Sequence, residues 1–128
     1  MQHIERRACE RFEIFGATAS YRGEGVFASK DFSVDSFPVI DLSLGGLRLL
    51  TDEYFKIDKR VSLKILIPGE EDPLLIRGTV RWVSINPEKS YKYQAGIQFN
   101  PYGKKKGENP PGILERLRAM EKRHKKSG

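Results

Sequence analysis

The chain has 128 residues, enough for one domain around one hydrophobic core and too few for a second. Apolar residues make up 38% and charged residues 31%. No stretch approaches the roughly 18 apolar residues that a membrane span needs, and the segment from Met1 to Arg7 lacks the apolar core of a secretory leader. The net charge of +6 is confined to the tail: from Lys104 on there are nine Lys/Arg against three Glu, which leaves fourteen of each sign in the body. A basic surface wrapped around the whole domain, as a non-specific nucleic-acid binder needs, is therefore not expected. The single cysteine, Cys9, has no disulfide partner, and Cys9, His3 and His124 do not have zinc-site spacing. These features fit a soluble protein of a reducing cytoplasm.

Residues 1–11 are polar, rich in Arg and Glu, and read as a flexible arm leading into the fold. They contain Arg6 and then Arg7-Ala8-Cys9-Glu10-Arg11, an R-x-x-x-R. Guanidiniums on an arm can close around a bis-anionic ligand, because the planar fork bonds phosphate, or the O6 and N7 edge of guanine, in bidentate fashion. Taken alone, the motif is weak, and the plain reading of the same residues is a solvated arm.

Residues 12–103 read as a β-domain. Short β patterns occur near Phe12–Tyr21, Gly25–Phe32 and Phe37–Asp41. Next comes Asp41-Leu42-Ser43-Leu44-Gly45-Gly46, a D-x-S-x-x-G at a strand end. Asp41 can accept from guanine N1–H and N2–H₂ together, Ser43 can donate to a phosphate, and the glycine pair allows a positive-φ turn close to a ligand. The plain alternative is a β-turn in which Asp41 and Ser43 bond their own backbone. Leu47–Leu50 resumes the β pattern. Val61, Leu63, Ile65 and Ile67 then alternate with period two, ended by Pro68-Gly69 and the acidic turn Glu70-Glu71-Asp72, which reads as solvated. A further strand runs from Leu74 to Ile85, with Gly78, Val80 and Trp82 on one face by simple alternation. Tyr93, Ala95, Ile97 and Phe99 form the last. Six or seven short strands with turn signals predict an antiparallel barrel or sandwich.

Residues 104–128 are a basic segment with a helix. Asn109 is a candidate cap, Pro110 and Pro111 suit the first turn, and Ile113, Leu114, Leu117 and Met120 share one stripe. That stripe either covers an open part of the barrel or docks on a partner.

With R-x-x-x-R and D-x-S-x-x-G in this order, about 30 residues apart, the sequence resembles the PilZ family of cyclic di-GMP receptors. Gly78-Thr79-Val80-Arg81-Trp82-Val83 and Ala95-Gly96-Ile97-Gln98-Phe99 resemble that family's C-terminal half. The resemblance covers roughly residues 5–100. It implies a six-stranded antiparallel β-barrel with a C-terminal helix, all-β otherwise. It also implies a non-enzymatic receptor that binds cyclic di-GMP, reorders its arm and signals to a protein partner. The ligand-binding residues implied are Arg6, Arg7, Arg11, Asp41, Ser43, Gly46 and Trp82. Arg6 implies two intercalated ligand molecules, and Trp82 either stacks on a guanine or belongs to the core. No cofactor or metal is implied, and no nucleic acid is expected as partner. Two other functions compete: a PilZ-like protein adaptor without ligand, and a basic β-barrel that binds single-stranded nucleic acid through its tail and Tyr91, Tyr93 and Tyr102.

Overall fold

The computed structural model describes residues 10–24, 31–33, 35–88 and 90–124. The β pattern expected near Gly25–Phe32 falls mostly outside them.

Six strands, β1 (Thr18–Gly23), β2 (Phe37–Leu42), β3 (Gly46–Thr51), β4 (Arg60–Leu66), β5 (Leu74–Ile85) and β6 (Tyr93–Phe99), precede one helix, α1 (Pro111–His124). They close into an antiparallel barrel in the order β1-β2-β3-β6-β5-β4, with β1 hydrogen-bonded to β4. Period-two alternation makes this arrangement possible. Val61, Leu63 and Ile65 of β4, Leu74, Ile76 and Val80 of β5, and Ala95 and Ile97 of β6 all point into one core, at most 3% exposed. Closure removes the free edges that a sheet of this size otherwise presents.

The two ends of the barrel are sealed differently. One end carries an aromatic cluster in which Tyr21 meets Phe55 edge-on at 4.8 Å and Phe37 at 5.8 Å. The other, where the β2–β3 and β4–β5 turns lie, is covered by α1, whose Leu114, Leu117 and Met120 join the core. The apolar stripe read from the sequence is therefore a cover. Its outer side is strapped down from the β4–β5 turn: Arg116 donates to the Asp72 and Pro73 carbonyls, and Arg116 and Arg123 both pair with Glu70. The expectation of a solvated acidic turn fails at Glu70 for that reason.

Asn109 does not cap the helix. It is 1% exposed. Its Oδ1 accepts the Arg77 backbone N–H at 2.7 Å, and its Nδ2 donates to the Arg77 and Asn100 carbonyls at 3.0 Å each. The side-chain amide thus stands in for a strand neighbour along β5 and pins the start of the tail. Asn109→Ala leaves these buried groups unpaired. It is expected to cost about 1–3 kcal/mol, seen as a melting point several degrees lower in a thermal scan.

Candidate functional site

The arm reaches the barrel at Phe12, which is 5% exposed and exchanges both backbone hydrogen bonds with Leu42, at 2.8 and 2.9 Å. Because Phe12 points inward, its neighbour Arg11 lies on the outer surface beside Asp41. A bulge at Ile40 sets the direction of Asp41: Val39 pairs with Leu49, but the next pair is Asp41 with Arg48. The extra residue turns Asp41 outward while Leu42 returns to the core.

The Asp41 carboxylate is held from both sides. Arg11 Nη1 donates to Oδ1 at 2.9 Å. Arg48 donates to Oδ2 through Nε at 2.9 Å and Nη2 at 2.5 Å. The two guanidiniums leave the Asp41 side chain 5% exposed while remaining 39% and 37% exposed themselves. A carboxylate so enclosed is tolerable only when it is paired and hydrogen-bonded. In turn, the bond to Asp41 holds the Arg48 proton more firmly than in a free guanidinium, against a smaller opposing effect of burial.

Ser43 builds the turn that follows. Its Oγ accepts the backbone N–H groups of Gly45 and Gly46, at 3.2 and 3.1 Å, and lies 3.3 Å from the Gly46 carbonyl. The hydroxyl thus has local partners, as in the plain turn reading. Gly46 is needed for closeness and not for a left-handed backbone, since a Cβ there would stand 2.4 Å from the Ile97 carbonyl oxygen. The positive-φ role expected from the sequence does not apply to it.

Simple alternation also fails at Trp82. A second bulge lies between Val80 and Trp82: Val80 pairs with Ile97, and Trp82 with Gly96. Val80 points inward at 0% exposure. Trp82 points outward, half-buried, with its indole laid over Gly96, where a Cβ would come within 2.1 Å of Nε1. Trp82 and Val80 therefore do not share a face, and the core reading of Trp82 is replaced by an outer one.

Strand register joins these residues into one feature. Asp41 on β2 pairs with Arg48 on β3, Arg48 with Gly96 on β6, and Gly96 with Trp82 on β5. The row crosses the outer surface over three interstrand steps, roughly 14 Å. It runs from an arginine-clasped carboxylate to an aromatic ring that lies over the intervening glycine. Arg48 was not singled out from the sequence. The only signal it gave there is that it follows D-x-S-x-x-G by two residues, in an outward position. Arg6 and Arg7 lie outside the described residues. Tyr102, proposed as an exposed nucleic-acid contact, is 1% exposed and donates its hydroxyl to the Leu44 carbonyl at 2.6 Å. Tyr91 and Tyr93 are half-buried.

Elsewhere, a groove of about 420 Å³ lies against β4 and β5, lined in part by Arg22, Leu75, Arg77, Lys105 and Lys106. It contains none of the motif residues. Among the described residues no group of three or more His, Cys, Asp or Glu is arranged to hold a metal ion, and no helix is long and apolar enough to cross a membrane.

The architecture is a closed six-stranded antiparallel β-barrel with a C-terminal helix over one end. The PilZ domain family model matches residues 5–108, and the chain belongs to that family. No curated protein matches the sequence. Among solved structures, the Bacillus subtilis inhibitor of motility MotI/DgrA superposes with a TM-score of 0.64 at 18% identity, over 95% of this chain and 52% of that one. The PilZ domain of Escherichia coli YcgR, solved with c-di-GMP, gives 0.60 at 15% identity over 94% and 92%. The K. pneumonia MrkH–c-di-GMP complex gives 0.60 at 21% over 91% and 51%. The chain thus spans about half the length of the MotI and MrkH chains. These likenesses establish the barrel fold.

Proposed function

We propose that this chain is a cyclic di-GMP receptor of the bacterial cytoplasm, and that ligand binding draws its N-terminal arm onto the barrel. The observation that carries the reading is the outer row Asp41–Arg48–Gly96–Trp82 with Arg11 docked at its acidic end. It offers carboxylate, guanidinium and aromatic surface side by side, which are the groups that purine edges, phosphates and purine faces require. Family membership supports the same reading, as do the YcgR and MrkH structures solved with c-di-GMP.

In this reading Arg7 and Arg11 take phosphates and guanine edges, Asp41 accepts from guanine N1–H and N2–H₂, and Ser43 offers its hydroxyl to a phosphate. Gly46 keeps β3 close to β6. Trp82 stacks on a base, an interaction typically worth about 1–3 kcal/mol. The ligand's two negative charges cross-link arm and barrel, and the arm's population shifts accordingly. The output reaches a protein partner through the Ser43–Gly45 turn, where the Leu44 carbonyl accepts the hydroxyl of Tyr102, just ahead of the tail.

Trp82 is the only tryptophan, so its emission reports on the site. Titration with cyclic di-GMP is expected to change it saturably, with no competition from a single-stranded oligonucleotide. Unchanged emission together with salt-sensitive binding of the oligonucleotide would favour a nucleic-acid binder. Arg6 sets the stoichiometry: calorimetry is expected to give two ligands per chain for wild type and one for Arg6→Ala. A one-to-one endpoint for wild type removes the intercalated pair.

A further inference from the structure

We infer that Arg48 is a specificity-determining residue of the ligand site, and that Asp41 and Arg48 together read the edge of one guanine. The inference rests on the receptor reading above and adds to it a residue outside both sequence motifs. Arg11 fills one position on Asp41 Oδ1, and Arg48 Nε–H and Nη2–H fill two on Oδ2. A carboxylate has about four lone-pair positions, so Asp41 cannot also accept two guanine donors while Arg48 keeps both of its bonds. One partner must give way. Arg48 is suited to do so because it is 37% exposed and sits in the row that leads on to Gly96 and Trp82.

Guanine offers what the exchange needs. Its N1–H and N2–H₂ take the acceptor positions that Arg48 leaves on Asp41. Its O6, next to N1 on the same edge, accepts from the released guanidinium, and N7 lies just beyond. Every charged group keeps a partner, so the swap avoids stranding a buried carboxylate. Adenine reverses the pattern. It presents an N6–H₂ donor where Arg48 donates, and its unprotonated N1 faces the Asp41 acceptor. Arg48 and Asp41 thus each reject adenine, through different atoms. The Trp82 indole lies over Gly96, the next member of the row after Arg48, so a base held by Asp41 and Arg48 has an aromatic surface beside it to stack on.

The test compares cyclic di-GMP with cyclic di-AMP on the full chain, for wild type, Arg48→Ala and Arg48→Gln. Amide-shift titration serves as the readout because it reaches millimolar affinities. Arg48→Gln keeps an N–H donor for Asp41 and guards against a folding defect in Arg48→Ala; melting curves accompany all three. Wild type is expected to prefer cyclic di-GMP. Both variants are expected to lose about tenfold or more for cyclic di-GMP while cyclic di-AMP binds as before or better, so the ratio of the two affinities narrows at least tenfold. An equal loss for both ligands, as a purely electrostatic or scaffolding arginine would give, overturns the assignment, and so does an unchanged ratio. Wild type that binds no cyclic di-GMP overturns the receptor reading itself; wild type that binds it while Arg48→Ala binds equally well overturns the role of Arg48 alone.

Discussion

Replacing Arg7 and Arg11 together with alanine is expected to lower affinity for cyclic di-GMP at least a hundredfold without unfolding the protein. In the proposed site each guanidinium would supply charge-assisted bonds to a bis-anionic ligand, worth about 1.5–3 kcal/mol apiece, and every 1.4 kcal/mol is about tenfold. The folded barrel does not depend on Arg11 to the same degree. Arg11 is 39% exposed, and its pair with Asp41 is one of two that this carboxylate makes. Arg48 still holds Asp41 in the variant, so the enclosed carboxylate is not left unpaired and the stability cost stays near that of one lost charged hydrogen bond, about 1.5–3 kcal/mol. Calorimetric affinity and a thermal melt on the same sample separate the two effects. Unchanged affinity in the double variant would move the site off the arm.

The second large effect is expected at the other end of the chain. Leu117 is 0% exposed in the middle of α1 and belongs to the same core as the strands. Leu117→Ala is expected to cost about 2–5 kcal/mol, the usual range for a large buried aliphatic residue cut back to a methyl group, measured by chemical denaturation. Arg123→Ala removes only an exposed partner of Glu70 and is expected to change stability by less than about 1 kcal/mol. The contrast distinguishes a helix that seals the barrel from one resting on it. A Leu117→Ala protein as stable as wild type would mean that α1 is separable from the domain.

How far the sequence reveals this architecture depends on whether alternation runs uninterrupted. β5 is read with its observed limits, Leu74–Ile85, because turn residues bound it, and β6 with its limits, Tyr93–Phe99, because apolar residues recur at every second position. The helix is legible for the same reason at period 3.6. Alternation loses its meaning at a bulge, and both bulges lie in the candidate site. At Ile40 the bulge turns Asp41 outward; at Arg81 it turns Trp82 away from Val80 and onto Gly96. One extra residue inverts every face assignment beyond it, so Trp82 read as a possible core residue. The motifs identified Arg11 and Asp41 by spacing. Arg48 escaped because its role comes from a cross-strand pairing thirty-seven positions from Arg11 and seven from Asp41, which no local pattern encodes. Asn109 misled for a related reason. Its helix-capping chemistry is a local preference, and a long-range demand from the Arg77 backbone outweighed it.

The most direct test of the receptor reading is isothermal titration of cyclic di-GMP into the wild-type chain. Saturable binding at micromolar affinity or tighter, with two ligands per chain, is expected. A folded wild-type protein that releases no heat and shows no binding at millimolar ligand would contradict it, and would leave a PilZ barrel that acts through protein contacts alone.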